Sequence, residues 1–528
     1  MSFESPYQKN SFSFGFNKLK SPAAIFLAIF ISSANISEAK PLSLKDTVLN
    51  VLKNNLSIAV EEFNSKITEQ SILDSESQFD PTLDLELTTQ EKTNQTSAAI
   101  AAVNKNRNQD TNWNLSLSQK LLTGAEYSLN FNNSTNKTNS PNAGLNPSYN
   151  AELEFNITQP LLKNAGIELN QRDIIIASND VNISQNGFKE KVIDIISSAE
   201  TIYWELVFSI KDLNVKKTSL ERARDLEKRV KAQVDVGTLA PIEILQAQSE
   251  VASREESLLS AIDLIQDNQD KLKNVLNIPF LSKDGMEDLI PVDIPQFSEK
   301  FDSDVESLLS LALKNRPDYH SKKVELENKK IDVKFNENQL YPSLDLVASL
   351  GLNGISGTAR TITRFGGGGN VTSPFGGSYG QSLSDMFSTE YYLWKFGIQL
   401  SYPLGNRAAK SQLTSSRLQA AQLLMSLKDL ENQIFVGVRE AVRQIKTDIK
   451  RVQASRIASK LAQEKLSAEE KKFAVGLSTS FNVLEFQEDL AERQSAENKA
   501  LIDYNISLIN LRKTLATTLD NHGIKLDD

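Results

Sequence analysis

The sequence of 528 residues contains no cysteine, which excludes disulfides, zinc–thiolate sites, thiol nucleophiles and lipid-modified cysteines. Only two histidines occur, His320 and His522, so a histidine-based metal site or catalytic centre is poorly supported. The sequence also offers no nucleophile elbow and no convergent pair of titratable residues. It therefore predicts no metal, no cofactor and no enzymatic activity.

Acidic residues outnumber basic ones, 67 to 58. The formal net charge is −9 and the sequence pI is about 5.2, which disfavours nucleic acid as a partner. The glycine-rich stretch at 364–382 lacks the Gly-Lys-Ser/Thr ending of a phosphate-binding loop. We interpret this stretch as a flexible surface loop.

Long apolar runs are missing as well. The run at 23–31 follows Lys9, Lys18 and Lys20, and it is shorter than the roughly 20 residues of a membrane-spanning helix. A buried N-terminal helix is one interpretation. The basic flank favours a signal peptide over residues 1–39, with cleavage between Ala39 and Lys40. Since no later run is long enough, any further membrane contact requires β-strands.

The remaining sequence contains a duplication in fixed order. Four pairs of segments correspond: 52–55 with 313–316, 79–87 with 340–348, 155–162 with 398–405, and 236–251 with 475–490. Prolines 279, 291 and 295 mark the linker between the copies. The sequence predicts a first repeat over 40–300, a second over 301–520 and a short polar tail over 521–528.

Each repeat contains a very long helix followed by a returning one. Apolar residues at spacings of three and four run through 167–236 and 407–475 without an interrupting proline. Each helix would be about 100 Å long, so it needs lateral partners along its whole length. Gly237 and Gly476 are placed to end these helices. Pro241 suits the first turn of one returning helix, and Ser478 or Ser480 can cap the other.

Four segments alternate apolar and polar residues: 82–89, 150–158, 343–352 and 393–402. Their length fits tilted strands that cross a bilayer, although a soluble sandwich also has alternating strands. Four strands cannot close a barrel, so spanning strands would require oligomerisation. A further alternating pair lies at 112–132. It could widen the barrel, extend outside it or replace one of these assignments.

The Pro-x-Leu-Asp-Leu strands, "QPLL" before a long helix, "YWEL" within it, "NRPDY" and the Val-Gly tips resemble the TolC-type outer-membrane efflux family over nearly all of 41–520. The resemblance implies an α+β membrane protein that forms a homotrimer. Each chain would lend four strands to one twelve-stranded transmembrane barrel in outer-membrane lipid, which continues as a periplasmic α-helical barrel. The implied function is an exit duct for tripartite efflux or type I secretion, with a periplasmic adaptor (membrane fusion protein) and an inner-membrane pump as partners.

The same resemblance implies functional residues near the hairpin tips. The family's two rings of aspartates in the pore fall on Asn482 and Glu485, and Glu243 is the acidic candidate in the first half. Ser478 stands where the family has a basic partner. Adaptor docking is expected at residues of the two turns: Val236, Gly237, Thr238, Val475, Gly476, Leu477 and Ser478.

A secreted coiled-coil surface or filament protein without transport activity is the alternative function. It shares the export signal, the long helices and the lack of cysteine. It leaves the paired strands of membrane length unexplained.

Overall fold

The computed structural model describes residues 40–95, 105–301, 304–363 and 369–526. The predicted signal peptide, including Ala39, lies outside these residues, and Lys40 begins the first strand. No helix in the described ranges is both long enough and apolar enough to cross a membrane.

The described part of the chain contains twelve α-helices. Their bounds are α1 Leu44–Asn54, α2 Leu56–Glu76, α3 Ile167–Asn170, α4 Arg172–Asp235, α5 Ile242–Val275, α6 Lys283–Met286, α7 Val305–Asn315, α8 Pro317–Asn338, α9 Tyr379–Phe387, α10 Arg407–Ala474, α11 Ser480–Thr514 and α12 Thr518–Asn521. The two very long helices expected from the periodicity are α4, with 64 residues, and α10, with 68 residues. Each is followed by a returning helix, α5 or α11, of about half that length.

The same ranges contain ten strands. They are β1 Lys40–Leu42, β2 Thr82–Gln95, β3 Lys105–Lys120, β4 Glu126–Thr138, β5 Leu145–Pro160, β6 Leu289–Pro291, β7 Ser343–Ala359, β8 Thr361–Thr363, β9 Asn370–Thr372 and β10 Tyr392–Ser401. β1 pairs in parallel with β6, which joins the start of the described chain to the predicted linker. β8 and β9 form a separate short hairpin.

The largest sheet has six strands, in the order β10-β7-β5-β4-β3-β2. All neighbouring pairs in it are antiparallel. The expectation of four strands per chain is therefore wrong, because the additional hairpin at 112–132 lies in the sheet as part of β3 and β4. Alternation alone could not decide this, since a hairpin in the sheet and one beside it have the same period.

One face of this sheet is apolar and the other is polar. A single transverse row on the apolar face consists of Leu83, Leu117, Leu129, Phe155, Leu350 and Trp394. The next row, on the mostly polar face, holds Asp84, Ser116, Asn130, Glu154, Gly351 and, on β10, Leu393. The separation follows from the two-residue period of a strand, which sends successive side chains to opposite faces.

Helix α9 packs on the apolar face of β7. A Cβ on Gly354 would come within 1.8 Å of the Ser382 carbonyl oxygen, so this glycine permits the close approach. The Tyr379 hydroxyl contacts Asn133 Oδ1 at 2.5 Å. The interpretation of 364–382 as a loop throughout is therefore wrong at Asn370–Thr372, which forms β9, and at its end, where α9 begins; residues 364–368 lie outside the described ranges.

The helices bury their apolar faces in three clusters along their length. One joins α1, α4 and the end of α5, and includes Val192, Leu206 and Tyr203 of the "YWEL" segment. A second joins α7 and α8 with α10, around Val438 and Ile445. The third lies near the hairpin turns, around Leu226 and Leu466. The long helices thus obtain the lateral partners that their length requires.

Candidate docking and gating site at the hairpin tips

The two helical hairpins end in turns with the same backbone geometry. Gly237 has φ +78° and Gly476 has φ +76°, and neither has any atom near the position of a Cβ. In the first turn, Thr238 N–H donates to the Gln233 carbonyl oxygen at 2.8 Å; in the second, Leu477 N–H donates to that of Lys472 at 2.9 Å. This is the Schellman pattern, in which a left-handed glycine ends a helix. The prediction that both glycines terminate long helices is confirmed.

The helix that returns from the second turn is capped by a residue other than those predicted. Thr479 occupies the N-cap position of α11, and its hydroxyl accepts from Asn482 N–H at 3.4 Å. The expectation of a cap at Ser478 or Ser480 is therefore wrong by one position. Both serines instead use their hydroxyls in contacts to carboxylates.

Large apolar side chains are exposed at both tips. Six of them are more than half exposed: Val236, Ile242, Leu245, Val475, Leu477 and Phe481. Apolar groups this exposed on neighbouring turns are unfavourable in water and typical of a surface that binds another protein. This is the surface on which adaptor docking is expected, and it also includes Thr238 and Ser478.

One hydrogen bond joins the first hairpin to the second at the level of the turns. The Ser480 hydroxyl, in the first turn of α11, donates to Glu243 Oε2, in the first turn of α5. Glu243, predicted as a gate residue from its position after Gly237, therefore ties the two returning helices together in this arrangement. Separating the tips requires breaking this charge-assisted bond.

A second set of polar contacts lies within the second tip. Ser478 donates to Glu469 Oε1 at 2.5 Å, and Lys472 lies 3.0 Å from Glu469 Oε2. The hydrogen bond from Ser478 and the Lys472 ammonium hold the pKa of the Glu469 carboxyl below its ordinary value. Asn482 Nδ2 donates to the Ser478 hydroxyl at 3.3 Å, so this predicted gate residue belongs to the same set.

Glu485, the other predicted ring residue, is placed differently. Its side chain is exposed, and among the described residues it makes no hydrogen bond or ion pair. The structure therefore joins Glu243 to Ser480 and Asn482 to Ser478, while Glu485 remains facing solvent one turn further along α11. An exposed carboxylate at that position is available to a cation or to a neighbouring subunit.

The sequence did not indicate the most extensive polar contact between the hairpins. Arg254 of α5 is buried, and its guanidinium donates to the Ser219 carbonyl oxygen at 3.1 Å, the Leu484 carbonyl oxygen at 2.9 Å and Gln487 Oε1 at 3.1 Å. Its Nε also donates to Glu250 at 2.8 Å. One side chain thus joins α5 to α4 and α11. Arg254 lies seventeen residues after Gly237 on a helix with no distinctive sequence pattern, and this position is the only signal in the sequence that could have identified it.

The polar face of the large sheet is the second element of the candidate site. Glu86 accepts from Asn114 at 3.3 Å, and Asn132 donates to Glu152 at 3.5 Å. These four residues occupy one transverse row. A face that presents carboxylates and amides in rows is suited to contact with water and dissolved cations.

Comparison with known proteins agrees with this geometry. The model of a protein family described as outer membrane efflux protein matches residues 308–517. No curated protein matches the sequence significantly. The family's description names efflux at the outer membrane.

Several solved structures have a similar fold. The outer-membrane channel OprN is 13% identical, with a TM-score of 0.64 and 90% of each chain covered. The Campylobacter jejuni CmeC outer membrane channel is 14% identical, with a TM-score of 0.63, and 90% of this chain and 85% of that chain are covered. The Neisseria gonorrhoeae MtrE channel, solved in its open state, is 14% identical, with a TM-score of 0.60 and coverage of 90% and 89%. At these identities the likeness establishes the fold.

Proposed function

We propose that this chain, which belongs to the outer membrane efflux protein family and lies in the outer membrane, is one of three subunits of a gated, water-filled exit duct. The observation that carries this proposal is the combination of an amphipathic sheet with two long helical hairpins whose tips are apolar and exposed. In a trimer the sheets would form a barrel in outer-membrane lipid. The helices would form a tube that reaches through the periplasm.

The two halves of the chain act as structural repeats in this proposal. Their helices correspond in length: α1 and α7 have 11 residues each, and α2 and α8 have 21 and 22. The returning helices α5 and α11 have 34 and 35 residues. Three chains would therefore present six similar hairpin tips, which suits a hexameric periplasmic adaptor connected to an inner-membrane pump. The division at 300 and 301 places the boundary in the proline-containing linker.

The hairpin tips act as the gate. In the closed state the Glu243–Ser480 bond and the Arg254 contacts hold the two hairpins together, and three copies of Glu485 face one another. At a separation of about 6 Å and an effective dielectric constant of about 20–80, each pair of carboxylates would repel by roughly 0.7–3 kcal/mol. This repulsion attracts cations to the constriction and limits the stability of the closed state. Binding of the adaptor to the apolar tips would then favour opening.

Dye export by living cells tests this function. Cells lacking the chain should accumulate a fluorescent efflux dye, and the wild-type gene should restore its export. Fractionation should recover the protein in the outer membrane. Unchanged accumulation of a panel of dyes and drugs, together with recovery in the medium, would contradict the duct and support the secreted coiled-coil alternative.

A further inference from the structure

We propose that three copies of this chain close a barrel of eighteen strands, by pairing the β10 edge of one copy with the β2 edge of the next. The inference rests on the proposed function and concerns the width of the duct and the surface that joins its subunits. It starts from the two outer strands of the six-stranded sheet. All fourteen residues of β2 are exposed, and so are nine of the ten residues of β10.

The additional hairpin is part of the wall. β3 pairs with β2 from Lys105 through Ser118, and with β4 from Asn108 through Lys120. The rows of apolar side chains continue through β3 and β4 without a change of face, as in Leu83, Leu117, Leu129 and Phe155. Removing this hairpin from the sheet would expose backbone N–H and C=O groups in lipid, which is strongly unfavourable.

On β7, in the second half of the chain, the apolar face has nearly the height of a bilayer. On β7 it extends from Leu344 to Leu352, and it ends where α9 covers Gly354. On β4 it is shorter, from Tyr127 to Phe131, and ends at the buried Asn133, which contacts Tyr379 of α9. A belt of about ten residues on a tilted strand matches the hydrocarbon thickness. Helix α9 therefore marks the outer limit of the lipid-facing belt.

The stagger of the strands fits a closed barrel of this size. The helix-side end of each strand is the end that connects to the helices: Thr82 for β2 and Ser401 for β10. Measured from the row that contains Leu83 and Trp394, this end lies one residue away on β2 and seven residues away on β10. The helix-side ends thus shift by six positions across six strands. Equal stagger and strand number give a tilt of about 35°, since each position advances ~3.3 Å and each strand ~4.8 Å. Membrane barrels have tilts of about 35–45°.

Alignment of the helix-side ends also defines the joint between subunits. Thr82 of one copy would lie opposite Ser401 of the next, with Leu83 opposite Leu400 and Leu87 opposite Phe396. Outward apolar residues then meet apolar residues on one face. On the other face, Thr88 meets Lys395. Both edges of the sheet therefore match a second copy of this chain in direction and in face, and the ten residues of β10 would lie along the first ten of the fourteen residues of β2.

The proposal makes the barrel wide. With eighteen strands at that spacing and tilt, the backbone diameter would be about 34 Å, against about 22 Å for twelve strands. Barrels of 16 to 18 strands enclose an aqueous channel. The four acidic residues Asp84, Glu86, Glu152 and Glu154 would line this channel in two adjacent rows.

Cross-linking between engineered cysteines tests the joint, because the natural chain has none. In the full-length trimer in detergent, the pair Thr88→Cys with Lys395→Cys should be joined by a short thiol cross-linker into covalent dimers and trimers on denaturing gels. The matched control, Thr82→Cys with Lys395→Cys, places the thiols about 20 Å apart and should remain monomeric. The pair Glu86→Cys with Asn114→Cys should cross-link within one chain, which checks that β3 lies beside β2.

The results of this experiment distinguish failure of the eighteen-stranded barrel from failure of the proposed duct function. Cross-linking of the control pair alone would overturn the register. Failure of the Thr88 and Lys395 pair in trimers that conduct ions would overturn the eighteen-stranded joint and leave the duct intact. Absence of both trimers and ion current would overturn the proposed function as well.

Discussion

The two halves of the chain have matching helices but different numbers of strands. The long helices differ by four residues and the returning helices by one. The first half supplies β2, β3, β4 and β5 to the large sheet, whereas the second supplies β7 and β10. The helices are constrained because both hairpins have to end at one level. An additional strand hairpin that pairs in register with the sheet does not change the helix lengths. The sheet can therefore gain strands while the two hairpin tips stay at the same level.

The two hairpin tips likewise share one feature and differ in another. Their backbones correspond, with left-handed glycines and the same capping hydrogen bonds. Their side chains differ, because the second tip has the Glu469, Ser478 and Asn482 contacts, and Thr238 in the first donates only to a backbone carbonyl group. Backbone equivalence would serve docking, and the unequal side chains would serve the gate.

Substitutions of the tip glycines have the largest expected effect. Gly237→Leu and Gly476→Leu should each reduce dye export at least tenfold, because a bulky residue in the left-handed region distorts the turn and alters the docking surface. Gly405→Leu is the matched control, since Gly405 has φ +87° and open space around it but lies beside β10. Export should be measured in cells that contain normal amounts of trimer. Full export by either tip variant would contradict docking at that tip.

Substitution of Arg254 tests the contact between the hairpins. Arg254→Met leaves the buried Gln487 Oε1 without its donor and removes the bonds to two helical carbonyl oxygens, and it should destabilise the hairpins by about 1–3 kcal/mol, visible as a lower midpoint of thermal unfolding. The control is Arg224→Met, which removes an exposed ion pair with Glu255 and should cost at most about 1 kcal/mol. Equal midpoints for the two variants would show that Arg254 does not hold the hairpins together.

The lowered pKa of the Glu469 carboxyl should make the stability of the second tip depend on pH, and the first tip has no equivalent group. Because the folded-state pKa of Glu469 is lowered, its carboxylate stabilises the closed tip at pH values above the ordinary carboxyl pKa. This contribution is lost as pH falls through the lowered pKa. Ser478→Ala removes the main cause of the shift, so acid-induced opening should begin at a higher pH in single-channel recordings. Thr238→Ala should leave the opening pH unchanged, and a shift of equal size there would contradict the assignment.

Substitution of Glu485 has the smallest expected effect. Glu485→Ala should weaken block of the channel by divalent cations about threefold or more, as follows from a repulsion of at least about 0.7 kcal/mol. Glu488→Ala, an exposed carboxylate on the same helix, serves as the control and should leave block unchanged. If Glu485→Ala also leaves block unchanged, Glu485 does not line the constriction.

The sequence predicted much of the fold because its strongest signals are periodic. The stripes in α4 and α10, the four alternating strands and the turns at Gly237 and Gly476 are local patterns, and the structure contains all of them. The resemblance to the outer-membrane efflux family, predicted from motifs in fixed order, agrees with the family model that matches residues 308–517. The place of the β3–β4 hairpin required knowledge of which strands pair, which alternation does not encode. Arg254 and Ser480 act through partners more than 200 residues away, so no local pattern could identify them.

The central claim is that three chains form one continuous water-filled duct, and ion current through a lipid bilayer tests it most directly. Purified protein of trimeric mass, added to a planar bilayer, should produce discrete current steps that close when divalent cations are added on the side of the helical tips. A monomeric protein that remains in aqueous buffer without detergent and gives no current would contradict the account.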